Sequence, residues 1–198
     1  MGIGCAVLAG GKNSRMSGLE KAFIQVEGIP IIHRVLDIVK PLFDEVSVIS
    51  NKPWLYSAIS GINIYPDKIA EKGPLGGIYT ALLHSSSDGI FIIACDMPYP
   101  SPSIIKQIIQ HFDLYPASIV VPRHQGFLEP LFAVYPKSLN HLLHSFLSFS
   151  ASLAIYQFIQ DSPHIFLDLP DSEEIEKSFQ NINRLKDLPD GILRSSGN

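Results

Sequence analysis

The sequence is short of cysteine, of positive charge and of long apolar runs, and each shortage excludes a class of protein. Its 198 residues include two cysteines, Cys5 and Cys95, each inside an apolar run. Such thiols are expected to be buried and free, not bridged or metal-bound, which fits a reducing cytoplasm. Lysine and arginine number 15 against 19 acidic residues, a formal net charge of −4. That balance argues against a generally basic surface for nucleic acid and leaves room for a local basic pocket that takes a small anion. No apolar run approaches the length that spans a bilayer, so no membrane segment is expected. The opening "MGIGCAVLAGGK" lacks a positive stretch ahead of its short apolar run, and Ala6 stands where N-myristoylation requires Ser or Thr. Neither a secretory leader nor a lipid anchor is therefore expected. Internal repeats, low-complexity tracts and long linkers are missing too, and the 198 residues are expected to form a single domain.

What is present is an alternation. Runs rich in β-branched residues occur at 3–9, 45–50, 63–66, 89–95, 118–122, 131–135 and 164–169, and they read as strands. Between them, "PIIHRVLDIVK" sets Ile31, Val35, Ile38 and Val39 on one helical face. "SPSIIKQIIQHF" follows the same period behind an N-cap Ser101 and a first-turn Pro102. Apolar strands linked by helices imply an α/β layer architecture: a Rossmann-like, mostly parallel sheet flanked by helices, with right-handed crossovers. The stretch 137–160 is helical in period and is expected to form a lobe over the sheet edge, while "RSSGN" ends the chain as a loose tail.

Open α/β sheets bind ligands outside the carboxyl ends of their strands. The first such loop, "LAGGKNSRM", follows the first strand directly. Gly10 and Gly11 allow the backbone N–H groups to approach an anion, and Lys12, Arg15 and Lys21 would add the several charge-assisted bonds that a triphosphate needs. A P-loop is excluded, because Ala6 occupies the position of its first glycine and Asn13, not Ser or Thr, follows Lys12. A dinucleotide fingerprint fails as well, since neither Gly2 nor Gly4 follows the strand. A glycine turn with surface cations and no ligand is the plain alternative for this loop alone.

Three further stretches join it. "GPLGGI" (73–78) precedes the helical "IYTALLHS" and lies just after Asp67, offering a second close-approach surface, with helix packing as the other reading of Gly76 and Gly77. In "ACDMP" an apolar strand ends in Asp96, a carboxylate placed to hold Mg²⁺ against phosphates, or else to cap the next turn. In "QNINR", Asn181 and Asn183 point the same way if the backbone is extended, and would offer amides to one ligand or cap a helix.

Together "LAGGKNSRM", "EKAF", "GPLGGI", "ACDMPY", "EPLFAVYP" and "NINRLKDL" resemble the molybdenum cofactor guanylyltransferases of the nucleotidyltransferase family, in order, over residues 3 to 188. The resemblance implies a nucleotidyltransferase-type α/β fold and transfer of GMP from GTP to molybdopterin. It places the nucleotide loop on Leu8, Ala9, Gly10 and Gly11, the essential lysine on Lys21, and the base and ribose side on Asp67 with Gly73, Pro74, Leu75, Gly76 and Gly77. It further implies Asp96 as the Mg²⁺ ligand and nucleotide contact, Asn181 and Asn183 on the pterin side, and GTP and molybdopterin as partners, with transient contact to molybdoenzymes or their chaperones. "LAGG" and "GPLGG" lean the base toward guanine.

There are departures. Glu20 replaces the usual Asp before the lysine, and 148–158 carries no arginine where relatives have one. The asparagine expected at the end of the second strand has no unambiguous match, since Ile49 falls there and Asn51 lies two residues later. The expected chemistry is in-line attack of the acceptor phosphate on the α-phosphate, with Arg15, Lys21 and Asp96 catalytic. Lys12 is given no fixed role. Glu129 is assigned none in catalysis, because a phosphate attacker is already ionised, and His141 and His144 read as a helix surface. A CTP-using transferase, acting on molybdopterin or on a sugar or terpenoid phosphate, and a non-catalytic GTP-binding module remain the alternatives.

Overall fold

The computed structural model describes residues 2–10, 15–16 and 19–182, with residues 15, 16 and 19 described in their main chain only. The strands are β1 (Ile3–Leu8), β2 (Arg15–Met16), β3 (Leu19–Glu20), β4 (Gln25–Val26), β5 (Ile29–Pro30), β6 (Val46–Ile49), β7 (Asn63–Tyr65), β8 (Gly89–Ala94), β9 (Ile119–His124), β10 (Phe127–Leu128), β11 (Phe132–Pro136) and β12 (His164–Asp168). The helices are α1 (Ile31–Val39), α2 (Gly73–His84), α3 (Pro102–Leu114), α4 (Asn140–Phe149), α5 (Ile155–Gln160) and α6 (Glu173–Ser178). The main sheet runs in the order β10-β9-β11-β8-β1-β6-β7, and β12 pairs with β9. β1 lies parallel between β6 and β8, β7 is parallel to β6, and β12 is parallel to β9. β11 alone among the longer strands is antiparallel to its neighbours β8 and β9, so the mixed α/β sheet is mostly parallel as expected. β2 with β3 and β4 with β5 form two small antiparallel hairpins.

The strands are apolar on both sides because helices cover both faces. Cys5, Val7, Phe91, Ile93, Phe132 and Val134 pack with Val35 and Leu36 of α1 and Ile104 and Ile108 of α3. Their alternate neighbours Ala6, Ile90, Ile92, Ala133 and Tyr135 pack with Leu75, Ile78 and Leu82 of α2 and Leu143 and Leu147 of α4. The period of two in each strand thus serves two separate apolar layers. Ser101 caps α3 by accepting from the amides of Ser103 and Ile104.

Two expectations change. The glycine cluster does not precede a helix; it forms the start of α2, with Gly73 at φ +57° and Pro74 in the first turn. The helical stretch 137–160 is split, because at 150–154 serine side chains take over main-chain bonding: Ser150 Oγ donates to the carbonyl of Ser152, and the amide of Ala154 donates to Ser152 Oγ. Its two helices lie on a face of the sheet, with Leu143, Leu147, Phe158 and Ile159 in the second apolar layer, and not over its edge. No helix among the described residues is long and apolar enough to cross a membrane.

The packing around β8 leaves no slack at its first residue. A Cβ on Gly89 would stand 2.5 Å from Cζ of Phe112, a ring already fully buried. Gly89→Ala is therefore expected to lower stability by about 1–3 kcal/mol through overpacking, read as a lower urea midpoint at an unchanged m value.

Candidate active site

Because β1, β6, β7 and β8 run parallel, their carboxyl ends open on one edge of the sheet. The ladder continues a residue past the strands: the amide of Ala9 donates to Ile49 O at 2.9 Å, that of Ser50 to Tyr65 O at 2.9 Å and that of Cys95 to Leu8 O at 3.1 Å. The loops that follow are thereby held side by side around a cleft of about 820 Å³. Leu8, Ala9 and Gly10 line it from β1, Ile49 to Lys52 from β6, Asp67 from beyond β7, and Ala94, Cys95 and Asp96 from β8. Gly73, Pro74 and Gly77 of α2 close one side, and Glu20 and Lys21 another.

At one end of the cleft Asn51 and Asp67 bond reciprocally. Asn51 Nδ2 donates to Asp67 Oδ2 at 2.8 Å, and the amide of Asp67 donates to Asn51 Oδ1 at 2.9 Å. Burial raises the Asp67 carboxyl above its ordinary value, opposed by the bond from Asn51. Asn51, which had no unambiguous match in the sequence, stands two residues past the end of β6, and an asparagine so close to a strand end was its signal. At the other end Lys21 Nζ lies 3.3 Å from Asp96 Oδ2, with the two side chains 12% and 18% exposed. Lys21 opens a single 3-10 turn, Lys21–Phe23, anchored by the buried Ala22, and the neighbouring Glu20 pairs with Lys52. Burial pushes the Cys95 thiol up to about 12, so it stays protonated and is no nucleophile.

Leu8, Ala9, Gly10, Lys21, Asp67, Gly73, Pro74, Gly77 and Asp96 therefore meet around one space. Leu75 is fully buried in the apolar layer beneath, and a Cβ on Gly76 would meet Ile69 O at 3.1 Å. A Cβ on Gly77 would stand 3.1 Å from the Leu8 side chain, so both glycines serve close packing of α2, Gly77 directly against the end of β1. Asn181 sits beside the Asp96 loop without lining the cleft: the amide of Ile182 donates to Asp96 O at 2.8 Å, and Asn181 Nδ2 turns back to Phe179 O. Gly11, Lys12 and Asn183 lie outside the described residues, as does the side chain of Arg15. Among the described residues no group of three or more His, Cys, Asp or Glu is placed to hold a metal ion. A single carboxylate such as Asp96 suits a hard cation only where that cation keeps several waters.

The mostly parallel sheet carries its polar loops on the carboxyl edge, with a basic residue against a carboxylate in the cleft, the place where open α/β sheets bind ligands. The model of the MobA-like NTP transferase domain matches residues 5–162, and the chain belongs to that family. A probable molybdenum cofactor guanylyltransferase of Clostridium perfringens is 32% identical over 193 residues, covering 96% of each chain. The molybdenum cofactor guanylyltransferase of Syntrophotalea carbinolica is 33% identical, over 89% of this chain and 91% of that one. The crystal structure of molybdopterin-guanine dinucleotide biosynthesis protein A from Archaeoglobus fulgidus superposes with a TM-score of 0.79 at 23% identity, over 92% and 93% of the two chains.

Near this cleft Glu129 is partly buried, and burial pushes its carboxyl up to about 7. In the unfolded chain an ordinary glutamate ionises near 4.5. Between those values the folded state binds more protons, so this group's contribution is fully present below about 4.5 and is lost as pH rises through about 7. Glu129→Gln is expected to melt at a higher temperature than the wild type at pH 8 and at the same temperature at pH 4.5, as read from thermal melts across that range.

Proposed function

We propose that the chain transfers the GMP moiety of GTP to the terminal phosphate of molybdopterin, forming molybdopterin guanine dinucleotide and releasing pyrophosphate. The observation that carries this reading is the division of the cleft, with the Asn51–Asp67 pair at one end and the Lys21–Asp96 pair at the other. Full-length likeness to proteins that bear the guanylyltransferase name supports the choice of substrates.

Asp67, fixed by Asn51, receives the N–H groups of the guanine base and the ribose hydroxyls. The backbone N–H of Gly10 seats the phosphates, the amide of Ala9 being held by Ile49 O. The phosphate oxygen of molybdopterin forms a bond to the α-phosphorus as the bond to the β-phosphate oxygen breaks in line, and the electron pair leaves on pyrophosphate. Lys21 moves its charge from Asp96 toward that leaving group, and Arg15 adds a second. Asp96 would hold Mg²⁺, which when bound neutralises phosphate charge. No protein nucleophile is needed. GTP and molybdopterin are the partners, with transient contact to molybdoenzymes or their chaperones, and the buried free thiols Cys5 and Cys95 suit a cytoplasmic setting.

The test is incubation with molybdopterin, Mg²⁺ and each nucleoside triphosphate in turn, with mass detection of the dinucleotide. GTP is expected to give the guanine dinucleotide and CTP none, while Asp96→Asn is expected to lose on the order of 10²-fold or more in turnover without loss of fold. Equal product from CTP would remove the guanine assignment, and an active Asp96→Asn with unchanged metal dependence would remove Asp96 from the metal.

A further inference from the structure

β11 runs antiparallel to β8 with Phe132 opposite Ile93, and the amide of Ala94 donates to Leu131 O at 3.1 Å. Before it, the amide of Glu129 donates to Pro122 O and that of Phe132 to Glu129 O, each at 3.0 Å. The turn 129–132 is thus pinned at the carboxyl ends of β8 and β9, on the same edge as Asp96, and its Leu131 lines the cleft. The Glu129 carboxylate forms no hydrogen bond or ion pair among the described residues, although it is partly buried. A carboxylate kept for the fold's sake would be paired, because desolvation without a partner costs stability. Asp67 follows β7, and β7 and β11 are four strands apart, roughly 19 Å at about 4.8 Å per strand. Glu129 therefore stands away from the Asp67 end of the cleft, in the turn beside the β8 end that carries Asp96.

We propose that Glu129 recognises the acceptor by accepting the ring N3–H and the exocyclic 2-amino N–H of the pterin. This rests on the guanylyl-transfer reading above. The pterin edge presents those two donors side by side, and a carboxylate takes such a fork with two charge-assisted bonds. The same negative charge repels the acceptor's phosphate and leaves it to the cation Lys21. Guanine carries a similar edge, but the distance between β7 and β11 keeps it from this carboxylate while its ribose and phosphates lie along the cleft. The recognition also supplies acceptor contacts on a chain without an arginine in 148–158.

Two competitors of molybdopterin test the assignment: 6-hydroxymethylpterin, and 6-hydroxymethyllumazine, in which a carbonyl replaces the 2-amino group. The wild type is expected to be inhibited by the pterin on the order of tenfold better than by the lumazine, the discrimination of one charged hydrogen bond. Glu129→Gln is expected to lose that preference and to raise the KM for molybdopterin about tenfold or more, with kcat within about threefold and GTP affinity by calorimetry within about twofold. Glu129→Asp, which keeps the carboxylate, is expected to retain the preference. Equal inhibition of the wild type by both heterocycles, or an unchanged KM in Glu129→Gln, overturns the assignment and leaves guanylyl transfer standing. A wild type that forms no guanine dinucleotide overturns both.

Discussion

The parallel pairing of β1 between β6 and β8 is the constraint on which the rest depends. Leu8 sits opposite both Ile49 and Ala94, so three strands end level and three loops leave the sheet at one height. A slip of one residue in β1 would exchange Cys5 and Val7 with Ala6 between two differently shaped apolar layers, and the well-packed neighbours resist it. Functional precision in the cleft is therefore borrowed from the core. Gly10, Asn51 and Asp96 each lie within two residues of a strand locked in this register.

The second consequence is electrostatic. This acidic chain sets two lysines in the cleft at the carboxyl edge of its sheet and pairs each with a carboxylate. Lys21 faces Asp96 and Lys52 faces Glu20. On the proposed guanylyl transfer, phosphate entry exchanges one anionic partner for another, so the cations are not stranded in a partly buried site without charge compensation. The same logic gives Asp67 its partner in Asn51, whose amide opposes the effect of burial on the carboxyl.

The long strands were legible because residues such as those of 3–8 and 89–94 are buried on both sides and leave unbroken apolar runs. The two-residue strands at 15–30 and at 127–128 are too short to show a period. α6 was open to reading from Ser172 followed by Glu173 and Glu174, a helix start with acids in its first turn, but its few apolar residues hid it. At 73–77 the glycines were read as preceding a helix and instead open it, while the packing reading of Gly76 and Gly77 holds, since they lie where α2 touches Ile69 and Leu8. In the cleft, motif residues at strand ends were legible from the chain alone. Asn51 was not, since its place is set by a bond to Asp67 sixteen positions away, and Glu129 was visible as a motif without a task until β11 set its turn beside the carboxyl end of β8.

The account makes the cleft a divided site, with base recognition at Asp67 and phosphoryl transfer at Lys21. Parallel determination of kcat and of KM for GTP in Asp67→Asn and Lys21→Ala tests that division most directly. The predicted result is a raised KM with kcat largely kept in Asp67→Asn, and a kcat lowered on the order of 10²-fold in Lys21→Ala. Losses falling on the same parameter in both variants, or exchanged between them, would contradict it.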